Sequence, residues 1–179
     1  MKECPLNKYT KNFLEENKLI TTIEGQSLGA GKSHLMRKMM RERSEDTDKK
    51  IVICDVKDLL EMTSDDFSGK IIGLDEVYLY MDSKFSIAAM NRLFCDMIIS
   101  SHRGADFYIC TRDFDCLDKR IRRAVDFRVI CNGSNKDKFY FICKDLRNDK
   151  DYSGTLTEEE LVDGGDLLGI KKSIGAVRI

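Results

Sequence analysis

Residues 24–40 read EGQSLGAGKSHLMRKMM, and this stretch decides the fold. Phosphate binding needs backbone N–H groups that point into a tight loop, which favours residues without a Cβ such as Gly29 and Gly31. It also needs a helix N-terminus, a lysine that reaches phosphate oxygens and a hydroxyl for Mg²⁺, and Lys32 and Ser33 supply these side chains. We therefore predict a nucleotide-binding loop that contains Ser27, Leu28, Gly29, Ala30, Gly31, Lys32, Ser33 and His34.

The start of this loop departs from the usual pattern. The position of the usual first glycine holds Gln26, and Gly25 lies one residue earlier. This difference predicts a changed turn at the entry to the loop. A chance glycine-rich turn before a basic helix is the alternative reading, and a second motif argues against it.

The second motif is the run IIGLDE at residues 71–76, an apolar segment that ends in two acids. At the carboxyl edge of a parallel sheet, Asp75 would hold Mg²⁺ through water. Glu76 would polarise the water that attacks the γ-phosphate of ATP. A strand that simply runs into a solvated acidic loop is the alternative, and it weakens once the run is paired with GAGKS. Asp55, which ends another apolar run, is interpreted as a loop residue or helix cap.

The order of apolar segments predicts an α/β fold. Helices are predicted after Lys32 and over Ile87–Ser101, the second ended by Gly104. Buried strands alternating with helices indicate a mostly parallel central sheet flanked by helices. The turn-like run Asn132–Asn135 predicts a C-terminal antiparallel hairpin at the edge. The predicted strands are Leu19–Glu24, Ile51–Asp55, Ile71–Asp75, Phe107–Thr111, Phe127–Cys131 and Lys138–Lys144.

The length of 179 residues suits one compact domain. We assign residues 1–148 to this domain and residues 149–179 to an extension that packs on the domain or on a neighbour. Within the extension, Thr157–Val162 is a short helix candidate.

The composition excludes several classes of protein. With 30 basic and 31 acidic residues the net charge is −1, so any DNA contact must come from local patches. Seven cysteines without a CxxC pair indicate buried thiols in a reducing compartment, and zinc is not predicted because neither histidine has cysteines at ligand spacing. No apolar run approaches the ~20 residues of a membrane helix, so membrane insertion is not expected. Four cysteines fall within apolar strand-like runs: Cys54, Cys110, Cys131 and Cys143.

The second half of the chain contains basic residues that could act on the phosphates. Arg103 and Arg112 flank the predicted strand Phe107–Thr111, and an arginine near the phosphates stabilises charge during transfer. The run DKRIRR at residues 118–123 could face DNA, a neighbour's nucleotide or solvent. Its basic members are Lys119, Arg120, Arg122 and Arg123.

The order of these motifs resembles the FtsK/HerA-type ATPases of archaeal viruses and plasmids. The resemblance spans Ile20 to Cys131 and rests on the phosphate loop, on LDEVYLYMDSK at residues 74–84 and on HRGADFYICTRDFDCLDKRIRR at residues 102–123. It implies a RecA-like P-loop NTPase fold and a homo-oligomeric ring that moves double-stranded DNA, as in viral genome packaging or plasmid DNA translocation. It also implies capsid or membrane-vesicle proteins of a virus as partners, and a place in the cytoplasm, that of the host for a viral chain.

The resemblance assigns roles to individual residues. Lys32 and Ser33 would contact the phosphates and Mg²⁺, Asp75 would be the acid on the metal side, and Glu76 would be the general base. Two positions depart from the family pattern. Arg112 stands where relatives have a glutamine that senses the γ-phosphate, and Ser101 stands where many have an arginine. Either the arginine has been re-sited to Arg103 or Arg112, or hydrolysis is impaired.

Two other functions remain open. A small P-loop kinase would suit this length and could use Arg120–Arg123 in a lid, although the acid pair and the lack of a separate lid insertion argue against it. A nucleotide-gated assembly protein that binds without turnover is favoured if Ser101 and Arg112 mark lost catalysis.

Overall fold

The computed structural model describes residues 19–26, 30–62, 64–75, 77, 104–135 and 138–157. The strands in these ranges are β1 (Leu19–Glu24), β2 (Lys50–Cys54), β3 (Lys70–Leu74), β4 (Asp106–Thr111), β5 (Phe127–Asn135), β6 (Lys138–Asp145) and β7 (Lys150–Thr157). The α-helices are α1 (Lys32–Thr47), α2 (Val56–Glu61) and α3 (Lys119–Ala124), with 3₁₀ turns at Ser64–Phe67 and Phe114–Cys116.

All seven strands form one sheet in the order β2-β3-β4-β1-β5-β6-β7. The strands from β2 to β5 are parallel, and β5, β6 and β7 are antiparallel to their neighbours. The predicted architecture is confirmed: a mostly parallel sheet with helices and a C-terminal antiparallel hairpin at one edge.

Strand β4 lies between β1 and β3, although it follows both in sequence. Every residue of β1 and β4 is buried, as expected for central parallel strands covered on both faces. Asp106 pairs in register with Leu19 of β1 and with Ile71 of β3. The carboxyl ends of β1, β4 and β3 therefore lie side by side, and this edge carries both sequence motifs.

The hairpin was predicted correctly, but its turn was placed wrongly. Residues 132–135 continue β5, with a register shift between Cys131 and Ser134 and a left-handed Gly133. Pairing with β6 overrides the turn-like composition of this run, since backbone hydrogen bonds to a neighbouring strand stabilise the extended form. The sequence analysis also did not predict β7, which begins at Lys150 and includes Thr157. Residues 158–162 of the short helix candidate lie outside the described ranges.

The sheet separates two apolar clusters. Helix α1 buries Leu35, Met36, Met39 and Met40 against one face, at the spacing of a single helical stripe. The opposite face of the sheet packs against α2, α3 and the 3₁₀ turns. The residues buried there include Leu59, Phe67, Leu117 and Ile121. The cysteines predicted to be buried (Cys54, Cys110, Cys131 and Cys143) are all buried, which confirms that prediction.

The amino end of the sheet carries buried ion pairs. Arg43 Nε on α1 lies 2.8 Å from Asp106 Oδ2 at the start of β4, and neither side chain has exposed surface. Lys49 Nζ lies 3.0 Å from the same oxygen. Burial raises the pKa of the nearby Tyr108 far above its usual range, and the Asp106 carboxylate adds to this effect. These groups fix the end of α1 to the sheet.

Asp55 caps helix α2, which is one of the two roles that the sequence predicted for it. Its side chain accepts from the Asp58 N–H at 2.8 Å, and the Asp58 carboxylate accepts from the Asp55 N–H at 3.4 Å. The predicted helix over Ile87–Ser101 lies outside the described ranges, although Gly104 does have a positive φ of 75°. Among the helices that the structure describes, none combines the length and apolar character needed to cross a membrane.

Candidate nucleotide site

The phosphate loop begins where β1 ends and leads into α1. Gly31 is the N-cap of α1 with φ 78°, a left-handed conformation that favours glycine. Helix α1 then starts at Lys32, so its free N–H groups and the positive end of its dipole meet the loop. Ala30 is buried, His34 is exposed, and Ser27, Leu28 and Gly29 lie outside the described residues.

The surroundings of Gly25 explain why the glycine at the loop entry lies at this position. A Cβ at this position would lie 3.0 Å from Ala30 Cβ and 3.2 Å from the Cys131 carbonyl oxygen. A side chain at position 25 would therefore crowd Ala30 and β5, which favours glycine there. Gln26, at the usual glycine position, is exposed.

Lys32 folds back across the loop. Its Nζ donates a hydrogen bond to the Gly25 carbonyl oxygen at 2.8 Å. This contact holds the ammonium group beside the end of β1, and the carbonyl provides a partner that a phosphate oxygen could replace.

Ser33 and Asp75 come together from separate elements. Ser33 Oγ donates to Asp75 Oδ1 at 3.0 Å, joining the first turn of α1 to the residue after β3. Both residues are half-buried. Val77 also contacts this edge of the sheet, because its N–H donates to the Cys110 carbonyl of β4 at 3.2 Å. The structure thus brings Ser33 and Asp75, the two predicted metal ligands, within hydrogen-bond distance. Glu76 lies outside the described residues.

These two side chains suit Mg²⁺ by their chemistry. A hydroxyl and a carboxylate are hard oxygen donors, the type that Mg²⁺ prefers. In the described ranges, no group of three or more His, Cys, Asp or Glu residues is arranged to hold a metal ion.

Two buried thiols lie near these groups, Cys131 beside Gly25 and Cys110 beside Asp75. Burial raises the pKa of the Cys110 thiol well above its usual range, and the Asp75 carboxylate reinforces the shift. Burial also raises the pKa of Cys131 to about 12. Since the thiolate is the reactive form, burial disfavours reaction at both cysteines.

Arg112 follows β4 at the same edge of the sheet and is exposed. Together with Gly25 and Gln26 it lines an open cleft of about 580 Å³ that continues from the start of the phosphate loop. Of the two predicted catalytic arginines, Arg112 thus lies beside the loop entry. Arg103 lies outside the described residues.

Glu24 and its partners were missed by the sequence analysis. The Glu24 carboxylate accepts from Arg128 Nε and from the Phe114 N–H, both at 2.7 Å. The Arg128 guanidinium also stacks on the Phe114 ring, with Cζ 4.5 Å from the ring centroid. An arginine within an apolar strand is the signal that could have drawn attention to this cluster.

The basic run forms α3, and its members differ in their surroundings. Arg120 Nε lies 3.1 Å from Asp118 Oδ1, and Arg122 Nη1 lies 3.2 Å from Asp115 Oδ1. Lys119 and Arg123 are exposed. Ile121 is the buried residue of α3 and fixes the helix to the core, and the basic residues lie on either side of it in the sequence.

No protein-family model and no curated protein sequence matches this chain. Solved structures do match. The genome packaging NTPase B204 from Sulfolobus turreted icosahedral virus 2, in complex with ATP-γS, has a TM-score of 0.59 and 11% identity over 77% of this chain and 97% of that chain. B204 from Sulfolobus Turreted Icosahedral Virus, a DNA-packaging ATPase, has a TM-score of 0.57 and 9% identity over 76% and 96% of the two chains.

The N-terminal domain of zonular occludens toxin from Neisseria meningitidis is similar over 82% of this chain and 97% of its own, with a TM-score of 0.55 and 16% identity. At such identities the likeness establishes the fold. This chain therefore has the fold of the P-loop NTPases, and its predicted resemblance to the FtsK/HerA-type ATPases is confirmed at the level of the fold.

Proposed function

We propose that this chain binds and hydrolyses ATP with Mg²⁺, as a homo-oligomeric ring that moves double-stranded DNA in viral genome packaging or plasmid DNA translocation. The observation that carries the nucleotide part is the 3.0 Å contact between Ser33 Oγ and Asp75 Oδ1, beside a lysine held at the loop entry. A structural turn would not need a hydroxyl on the first turn of α1 bonded to a carboxylate at the end of β3, next to a lysine bound to the Gly25 carbonyl.

Nucleotide binding would use groups already in place. The α1 N-terminus faces the phosphates, and Lys32 would exchange the Gly25 carbonyl for a phosphate oxygen. One similar protein, the B204 NTPase, was solved with both ATP-γS and AMP, which supports a nucleotide as the ligand here.

Ser33 and Asp75 are the residues that would hold Mg²⁺, Asp75 through water. When bound, the ion neutralises charge on the phosphates. In the described structure the Ser33 hydroxyl donates to the carboxylate, so both oxygens are already oriented toward each other.

Hydrolysis would depend on Glu76, the residue after Asp75. Its carboxylate would accept a proton from water as the water oxygen bonds to the γ-phosphorus and the bond to the β–γ bridging oxygen breaks. Arg112, which stands in place of the usual glutamine, would donate to phosphate oxygens from the loop entry. A charged donor at this position stabilises negative charge but does not orient water as an amide would.

The DNA and ring parts of the proposal rest on the sequence resemblance, with α3 as the candidate contact surface. Exposed Lys119 and Arg123 would meet phosphates of double-stranded DNA or a neighbouring subunit. Capsid or membrane-vesicle proteins of a virus are proposed as further partners on the same resemblance.

The test is steady-state ATP hydrolysis with and without double-stranded DNA. Glu76→Gln should lower turnover by on the order of 10²-fold while nucleotide still binds, because only the group that orients water is lost. Lys32→Ala should remove binding itself. Sedimentation with and without nucleotide measures whether the chain assembles into a ring.

The other outcomes separate the alternatives. Turnover only when a phosphoryl acceptor is added would identify a kinase. Nucleotide binding without turnover, even with DNA, would indicate a nucleotide-gated assembly protein. Equal turnover in the natural protein and Glu76→Gln would contradict the role of Glu76.

A further inference from the structure

Glu24 is a buried carboxylate that the proposed reaction does not use. It is the last residue of β1, directly before the phosphate loop, and its side chain is only 7% exposed. Each of its oxygens has a strong partner: Oε1 accepts from Arg128 Nε and Oε2 accepts from the Phe114 N–H, both at 2.7 Å. A buried carboxylate is costly without such partners, so this cluster requires its own explanation.

On one side, Glu24 adjoins the lysine of the nucleotide site. The next residue, Gly25, provides the carbonyl oxygen that lies 2.8 Å from Lys32 Nζ. When Lys32 binds a phosphate oxygen instead, the Gly25 carbonyl loses this hydrogen-bond donor. Nucleotide binding thus changes the bonding one residue away from Glu24.

On the other side, Glu24 holds the segment that leads into α3. Phe114 begins the 3₁₀ turn Phe114–Cys116. From this turn, Asp115 Oδ1 accepts from Arg122 Nη1 of α3 at 3.2 Å. The Leu117 N–H bonds back to the Phe114 carbonyl at 3.1 Å, immediately before Asp118 caps the helix. A shift of Phe114 would therefore move the start of α3.

Arg128 joins the two sides. Its Nε neutralises Glu24 next to an anion-binding loop, and its guanidinium face packs on the Phe114 ring at 4.5 Å. The planar guanidinium permits both contacts at once, which a lysine ammonium could not provide.

We propose that Glu24 is a positioning residue that couples nucleotide at the phosphate loop to the placement of the basic helix α3. This inference rests on the nucleotide binding of the proposed function, but it requires neither hydrolysis nor DNA. Since coupling between binding sites is reciprocal, whatever binds α3 would change the nucleotide affinity by the same factor.

The experiment measures amide hydrogen exchange of residues 113–124 with and without Mg²⁺ and ADP. In the natural protein, nucleotide should change exchange in this segment by about tenfold, within the usual range of coupling between sites. Glu24→Gln keeps the size and one acceptor oxygen but loses the charge attraction to Arg128. Its response should fall below about twofold while the dissociation constant for ADP stays within about threefold of the natural value.

Glu42→Gln is the matched control, because this glutamate is also ion-paired, with Lys38 Nζ at 3.1 Å on α1. It should respond like the natural protein. If Glu24→Gln does not fold, Arg128→Lys keeps the charge but removes the planar face over Phe114, and it should lose the response as well.

A natural protein that binds ADP without altered exchange at 113–124 would overturn the coupling and leave nucleotide binding intact. The same holds if Glu24→Gln keeps the full response. If ADP does not bind at all, or binds equally to Lys32→Ala, then the proposed function fails first and the coupling fails with it.

Discussion

The two ends of the central sheet both carry charged clusters, yet they differ in exposure. At the carboxyl end, Lys32, Ser33 and Asp75 are half-buried, with Ser33 bonded to Asp75 and Lys32 bonded to the Gly25 carbonyl. At the amino end, Arg43 and Asp106 have no exposed side-chain surface. The first set is open to a ligand, whereas the second is closed by the fold.

This difference separates a binding site from a structural ion pair. A buried pair has already lost its hydration, so any change of partner leaves a charge without compensation. A half-exposed hydroxyl, lysine or carboxylate can exchange a protein partner for a ligand at little cost. The proposed site is thus distinguished from the buried ion pair by charge that remains accessible beside a helix N-terminus, and not by charge alone.

The largest effect is expected at the amino end. Asp106→Ala would leave the buried Arg43 without its carboxylate and should lower the free energy of unfolding by about 3–5 kcal/mol. Urea denaturation measures this change. Adding Arg43→Met to the same variant should recover most of the loss, since an apolar side chain needs no partner there. An unchanged unfolding free energy in Asp106→Ala would show that the buried pair does not act as described.

At the carboxyl end the expected loss is in binding rather than stability. Asp75→Asn should weaken the Mg²⁺ dependence of nucleotide binding by about 10–100-fold. Because Asp75 is half-exposed, the unfolding free energy should stay within about 0.5 kcal/mol of the natural value. Magnesium titration of nucleotide binding is the measurement, and Asp151→Asn, an exposed acid on β7, is the control. A natural Mg²⁺ dependence in Asp75→Asn would remove this residue from the site.

Buried thiols in the antiparallel part of the sheet should make the fold sensitive to alkaline pH. Burial raises the pKa of Cys131 and Cys143 to about 12, from 9.0. Their contribution is complete below pH 9, where both states keep the proton. Between pH 9 and 12 only the unfolded chain has lost it, so stability falls by about 1.4 kcal/mol per pH unit for each thiol. Denaturation of the natural protein and Cys131→Ala under reducing conditions should differ by this slope, and equal slopes would contradict it.

The smallest effect tests whether every acid at the carboxyl edge of the sheet contributes to nucleotide binding. Asp55 follows β2 at that edge, but it caps α2. Asp55→Ala should lower the unfolding free energy by about 1 kcal/mol through loss of the cap. Nucleotide affinity should not change, and a loss of affinity would instead place Asp55 in the site. Urea denaturation and nucleotide titration of the same preparation measure both.

The parts of the fold that follow local rules could be predicted from the sequence. The buried runs at β1 to β4 and the glycine-rich sequence before α1 depend on neighbouring residues, and these four strands were predicted within one residue of their bounds. Long-range pairing was harder. Residues 132–135 look like a turn but pair within β5, and the polar run Lys150–Thr157 becomes β7 only because β6 supplies its hydrogen bonds.

The cluster at Glu24 shows the same limit within the site. Glu24, Phe114 and Arg128 lie in three separate elements, and no local pattern relates them. Their contacts arise because β5 lies beside β1 and the segment after β4 returns to the same edge.

By itself the sequence determined the chemistry: a glycine loop that ends in a lysine and a hydroxyl, and a buried strand that ends in acids. These properties depend on residue type and on spacing within one element. The tertiary structure alone decided that Ser33 and Asp75 lie 3.0 Å apart, because the order β3-β4-β1 brings two carboxyl ends to one edge of the sheet. It also decided which charges remain accessible, since burial depends on packing between elements that lie far apart in the chain.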